Sequence, residues 1–387
     1  MTTNGRIRSR GSARALLGLL PALILVLSLV PAPLGGPNFA NATDLCGKHY
    51  VAGGDDIPAG QDIDEEDRYP NKLRVDHLNQ PAPGAWCLFN TSKNDATSSN
   101  YISSGQFAAA WNMRPDLITL TIGRENTSIV DEIDSCFKKV RDHDFTEANI
   151  CFAMILANQS AFNNLKNNLV YTFQGYRLIM AGRPWLIVAV TTVPNPYPQA
   201  LTVAPKIVEL CVPLIDTIPT CSIRWAQLPL ALATADQVIQ KLNQTIADAV
   251  APFFIGTQGR FQLVDVYPKF KDHCMTMKVT IKTTVEHPEE EGAVHQHDSP
   301  EVNFGCDEEW WVEGEDGTKT PNYLDPAALG VLTNKSQTTK GMGVRVNADG
   351  QKCIADLIWE WDTPEPGVTP LKWKLKYPEQ PNSDICN

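Results

Sequence analysis

Stretches apolar on both faces recur along the chain. HYVAGG (49–54), WCLFN (86–90), DLITLTIG (116–123), PWLIVAVTTVP (184–194) and FQLVDVYP (261–268) are bounded by turn residues. Such runs predict strands covered on both sides, as in a parallel sheet. Between them lie stretches with helical spacing: GQFAAAWNM (105–113), TSIVDEIDSCFKKVRD (127–142), residues 159–180, residues 234–254 and NADGQKCIADLIWEW (347–361). In the second of these Ile129, Ile133, Cys136, Phe137 and Val140 share one face; in the last, Ile354, Leu357, Ile358 and Trp361 do. Strand and helix in alternation predict a doubly wound α/β sheet. Residues 274–341 break the rhythm. They are polar and rich in turn residues, and they read as a surface excursion with a small hairpin at MTMKVTIKTTV (275–285) rather than as a separate domain.

The first 42 residues have the pattern of a secretion signal. Arg6, Arg8, Arg10 and Arg14 precede ALLGLLPALILVLSLV, and Ala40–Ala42 supplies the small residues of a cleavage site. The alternative is an uncleaved anchor, but the run is short for a span and is broken by Pro21 and Pro31. Residues 43–387 are then one mature domain with no further span. Removal of four arginines and no acids takes the net charge from −11 to −15. That balance repels phosphate backbones and speaks against a nucleic-acid partner. With 43% hydrophobic residues the chain can bury a core.

Ten cysteines follow the signal, with no CxxC spacing, which points to disulfides in an exported chain. Cys136 and Cys151, and Cys211 and Cys221, are near enough to close local loops, and Cys46 with Cys386 would tie the ends together. Of six Asn-x-Ser/Thr sequons, Asn41 falls inside the signal, and Asn90, Asn126, Asn158, Asn243 and Asn334 read as glycan acceptors only in a glycosylating host, with chance matches to so short a pattern as the plainer reading.

In open α/β sheets ligands bind at the carboxyl ends of the strands. Those ends fall at Asp55–Asp56, Asn94–Thr97, Gly123–Asn126 and Gly343–Asn347. The blocks there resemble the SGNH (GDSL-type) hydrolase family of esterases and lipases, from about Tyr50 to Trp361. YVAGGDDIPAG is similar to the family's GDSxxxG start, with Gly54, Asp55 and Gly60 in place. DLITLTIGREN is similar to the block ending GxND. GMGVRVNADGQKCIADLIWE is similar to DxxHPNxxGxxxIA, with Asn347, Gly350 and Ala355 in place. Cys136 followed by Cys151 resembles the disulfide pattern of secreted members. The resemblance implies a flavodoxin-like sheet with a long insertion before the last helix, and no cofactor.

At the catalytic positions the family pattern fails. The Ser position is Asp56, the His position Arg345 and the Asp position Met342. The oxyanion positions fall on Asp95 and on Glu125, or on Asn126 if the turn shifts by one. A serine nucleophile needs a neighbouring base, and a guanidinium stays protonated. Carboxylates at oxyanion positions oppose the charge that develops there. Asp56 has a simpler use as a helix N-cap, and with Arg345 it would form an ion pair across the former site. The expectation is a secreted SGNH-like protein that has lost ester hydrolysis and binds an extracellular small molecule, lipid or glycan; an active esterase using unusual groups is the alternative.

Other clusters have plainer readings. His287, His295, His297 and Asp298 lie in a polar loop where solvated histidines are commoner than a zinc site. Trp310–Trp311 reads as sheet cover before it reads as a sugar platform, His273 as a residue near the cleft rather than a substitute base, and the acidic run 62–70 as solvated.

Overall fold

The computed structural model describes residues 46–60, 63–80, 83–94, 96–124, 126, 135–136, 139, 144–196, 200–211, 227–257, 259–274, 277–280, 283–286, 294–297, 301–304, 311–313 and 344–360. The five expected strands form one parallel sheet. They are β1 (Lys48–Gly54), β2 (Trp86–Asn90), β3 (Leu117–Thr121), β4 (Ile187–Thr191) and β5 (Phe261–Val264), in the order β2-β1-β3-β4-β5. This is the flavodoxin-like order, whose topological switch point lies between β1 and β3.

The strands alternate between two apolar layers. Val51, Ile118, Leu120, Val188 and Val190 pack into one cluster; Tyr50, Ala52, Leu117, Ile187 and Ala189 into the other. The second layer lies under α1 (Asp56–Ala59), α2 (Tyr69–Lys72) and the wider π-type turn at Leu73–Leu78 that continues it. The first layer lies under α3 (Ser98–Ser103), α4 (Gln106–Asn112), α5 (Phe145–Ala157), α6 (Gln159–Gly182), α7 (Ala200–Cys211) and α8 (Leu228–Val250). The last described helix, α9 (Ala348–Glu360), returns to the second layer, where Ile354, Ala355 and Ile358 are buried.

The sequence pattern did not isolate α5. Its apolar residues are spread round the cylinder, with Ala148, Phe152 and Ile155 buried and Ile150 and Met154 exposed. Most of the amphipathic stretch at 127–142 lies outside the described residues.

The excursion also differs from expectation. Residues 277–280 and 283–286 form strands β6 and β7, but they do not pair with each other. β6 pairs with β9 (Glu301–Phe304) and β7 with β8 (Val294–His297), both antiparallel. Strand propensity marked the extended run but not its partner, because the returning strands are polar and look like loop. Strands β10 (Trp311–Glu313) and β11 (Val344–Val346) also pair antiparallel.

Cys136 and Cys151 are bonded, as their spacing allowed. Cys46 bonds to Cys87 and not to Cys386. The parallel register explains this: His49 lies beside Cys87, so the residues just before β1 run alongside β2. Cys274 and Cys353 are disulfide-bonded as well. Cys211–Cys221 falls partly outside the described residues. No helix is long and apolar enough to cross a membrane among the described residues.

Candidate functional site

The carboxyl ends of β1 and β3 create the site. Gly54 closes β1 with φ +136°, and a Cβ there would stand 1.8 Å from the Thr121 carbonyl oxygen. Only glycine lets the two strand ends approach so closely. The Asp55 amide then donates to Thr121 O at 3.0 Å, and the chain turns into α1.

Asp55, rather than Asp56, caps that helix. Its carboxylate accepts from Ile57 N at 3.3 Å and also from the backbone N–H of Arg124. Adjacent aspartates offered two candidates, and the extended backbone of Asp55 puts its own oxygen over the helix end. Asp55 is fully buried and its Oδ2 finds no partner. Burial first, then the neighbouring charge of Asp56, pushes its pKa up to about 7.

Asp56 is the first residue of α1 and is 4% exposed. It lines a narrow crevice with Ile57, Gly60, Ile63, Arg124, Val346 and Gln351. The sequence blocks had not singled out Arg124 or Gln351. Arg124 is the residue after Gly123 in the third block, a position the family motif leaves unspecified. Gln351 accepts from Tyr69 N at 2.9 Å and donates to Ile57 O at 2.9 Å, so α9 holds α1 and α2 in place. A glutamine just inside a helix carries no sequence signal for such partners. Asn347 caps α9, its Oδ1 accepting from Gly350 N at 3.0 Å.

Asn126 is buried, and its Oδ1 accepts from Ser98 N at 2.9 Å. A backbone N–H must face the amide oxygen, so the amide nitrogen of Asn126 is left as a donor. Ser98 Oγ in turn accepts from Asn168 of α6 at 3.1 Å. This arrangement fastens the loop after β2 to the loop after β3.

The other expected site residues are only partly placed. Asp95, Glu125, Met342 and His287 lie outside the described residues. Arg345 sits on β11 with its backbone opposite Val312, next to the crevice-lining Val346, and its side chain is outside what is described. His295 and His297 are on β8. Among the described residues no group of three or more His, Cys, Asp or Glu could hold a metal ion. His273 follows a short 3₁₀ turn after β5 and is not among the residues that line the crevice.

A five-stranded parallel sheet in this order, with its crevice at the switch point, defines a doubly wound α/β fold. No family profile matches the chain, and no curated protein is similar to it. Among the solved structures it is similar to are a lipase, an acetyl xylan esterase and a protein of the lipolytic G-D-S-L family. The lipase Lip_vut3 from a goat rumen metagenome is 13% identical over 58% of this chain and 83% of that one, with a TM-score of 0.37. The acetyl xylan esterase AlAXEase is 9% identical over 81% and 100%, with a TM-score of 0.36. A member of the lipolytic G-D-S-L family from Veillonella parvula DSM 2008 is 11% identical over 65% and 90%, with a TM-score of 0.31. These likenesses concern the fold, which the sheet order establishes independently.

Proposed function

We propose that this is an exported, disulfide-bonded SGNH-like protein that has lost ester hydrolysis and serves as an extracellular binding or structural module. The observation that carries the reading is the buried carboxylate of Asp56 at the nucleophile position. The described residues that line its crevice supply a guanidinium, an amide and apolar groups, and no hydroxyl or imidazole. A carboxylate attacking an ester would form a mixed anhydride, and an arginine cannot activate water against it. The Asp56–Arg345 ion pair belongs to this proposal, since β11 runs beside the crevice that Asp56 lines. So does cleavage of the first 42 residues, which agrees with disulfide use.

The test is hydrolysis of p-nitrophenyl acetate and butyrate by the purified mature chain. Turnover no greater than that of the Asp56→Ala variant is expected. Turnover in the parent that Asp56→Ala abolishes would overturn the lost-activity reading and assign Asp56 as a nucleophile.

A further inference from the structure

The opposite pole of the sheet has a different character. Three segments enter the amino ends of β3, β4 and β5: residues 111–116, 177–186 and 251–260. Because the strands are parallel, all three lie at one end, away from the crevice. Hydrogen bonds join them. Arg183 Nη1 donates to Pro115 O at 3.1 Å, and Arg260 Nη1 donates to Arg183 O at 3.4 Å. Arg177 reaches the third segment, its Nη2 lying 3.9 Å from where a Cβ on Gly256 would be.

This joined rim exposes large apolar side chains. Trp111 is 43% exposed, Leu178 51%, Trp185 54% and Ile255 80%. Single exposed apolar residues are ordinary; four in three adjoining segments, two of them in the last turns of α4 and α6, are not. The rim also carries Arg114, Arg177, Arg183 and Arg260 against one acid, Asp116. Asp116 is turned inward, its Oδ2 accepting from His49 N at 2.8 Å. No acid pairs with any of the four arginines among the described residues. Arg183 lies over the Trp185 ring at 5.6 Å. A cationic, aromatic rim therefore sits on a chain with 44 acids and 33 bases.

We propose that this rim docks the protein on a bilayer that contains anionic phospholipid. Charge complementarity selects a negative surface, and indole rings with arginines are the groups that settle at a headgroup layer. The aliphatic tips decide between a membrane and an anionic polysaccharide. Ile255 and Leu178 gain nothing from a hydrated glycan but gain burial in the acyl boundary. Docked this way, the protein lies on the membrane and presents the Asp56 crevice to the opposite side. The inference is independent of whether the crevice is catalytic.

The test is co-sedimentation of the full mature chain with vesicles of phosphatidylcholine alone and of an equimolar phosphatidylcholine–phosphatidylglycerol mixture. Binding to the mixed vesicles alone, weakening as salt rises, is expected. The Arg114→Gln/Arg177→Gln double variant loses about tenfold or more in affinity, since each arginine near the surface contributes about 1 kcal/mol. Ile255→Asn also weakens binding, whereas Met154→Asn, on the exposed face of α5, leaves it unchanged. Far-ultraviolet circular dichroism establishes that each variant is folded. Three results would overturn the proposal: equal sedimentation with both vesicle types, rim variants that bind like the parent, or dextran sulfate binding that follows the arginines and ignores Ile255→Asn. The last would assign the rim to a soluble polyanion.

Discussion

Asp55 shows how one residue serves the fold at a cost. Its carboxylate fastens the start of α1 to the backbone of Arg124, yet it is buried beside a second carboxylate. The carboxyl titrates near 7 in the folded state and near 3.8 in an ordinary setting. Between those values the folded protein keeps a proton that the unfolded chain has released. Stability therefore falls as pH rises through that window and stays lower above it. Asp55→Asn keeps an oxygen for Ile57 N and removes the titration. It should flatten this part of the stability–pH curve and raise stability at pH 8 by on the order of 2 kcal/mol, as read by urea unfolding at several pH values. The DD pair was legible as the start of a helix. Which aspartate caps it was not, because that depends on the sharp turn Gly54 makes against Thr121.

Helix α9 is held at two points. Gln351 reaches α1 and α2, and Asp356, on the same helix, takes His77 Nε2 at 2.8 Å and Lys352 Nζ at 3.0 Å. The His77 ring stacks on Trp359 at 5.2 Å. Burial works against the Asp356 carboxylate, but the hydrogen bonds from His77 and Lys352 outweigh it and hold its pKa below 3.8. This stabilisation is present above the unfolded value and is lost as pH falls through the folded one. Asp356→Asn should cost about 1–3 kcal/mol at neutral pH and remove that acid-side loss, as measured by thermal unfolding between pH 2 and 7. The helix itself was legible from its inward-facing Ile354, Leu357 and Ile358. Its polar anchors were not, since their partners come from the far end of the chain. The same limit explains β6 and β7, whose strand propensity marked an extended run but could not name β9 and β8 as partners.

At the scale of the molecule, continuous apolar runs made all five strands legible, but the order β2-β1-β3-β4-β5 is a property of how they meet. The Cys46–Cys87 bond follows from that order, because β1 and β2 are neighbours at the sheet edge. It closes a separation of 41 residues. The Cys46→Ser/Cys87→Ser variant should lose about 4 kcal/mol, seen as a lower midpoint in guanidinium unfolding. The fold also separates two surfaces that the linear sequence intermixes. The crevice draws on residues 56–63, 124, 346 and 351, and the arginine-bearing rim on residues 111–116, 177–186 and 251–260.

Gln351 donates to a carbonyl 294 positions earlier. The turn that follows β1 is thus finished by α9, the last helix among the described residues. A ribosome must add 294 residues after Ile57 before that partner exists. Until then β1 and the turn that follows it wait incomplete, so this corner of the fold sets late.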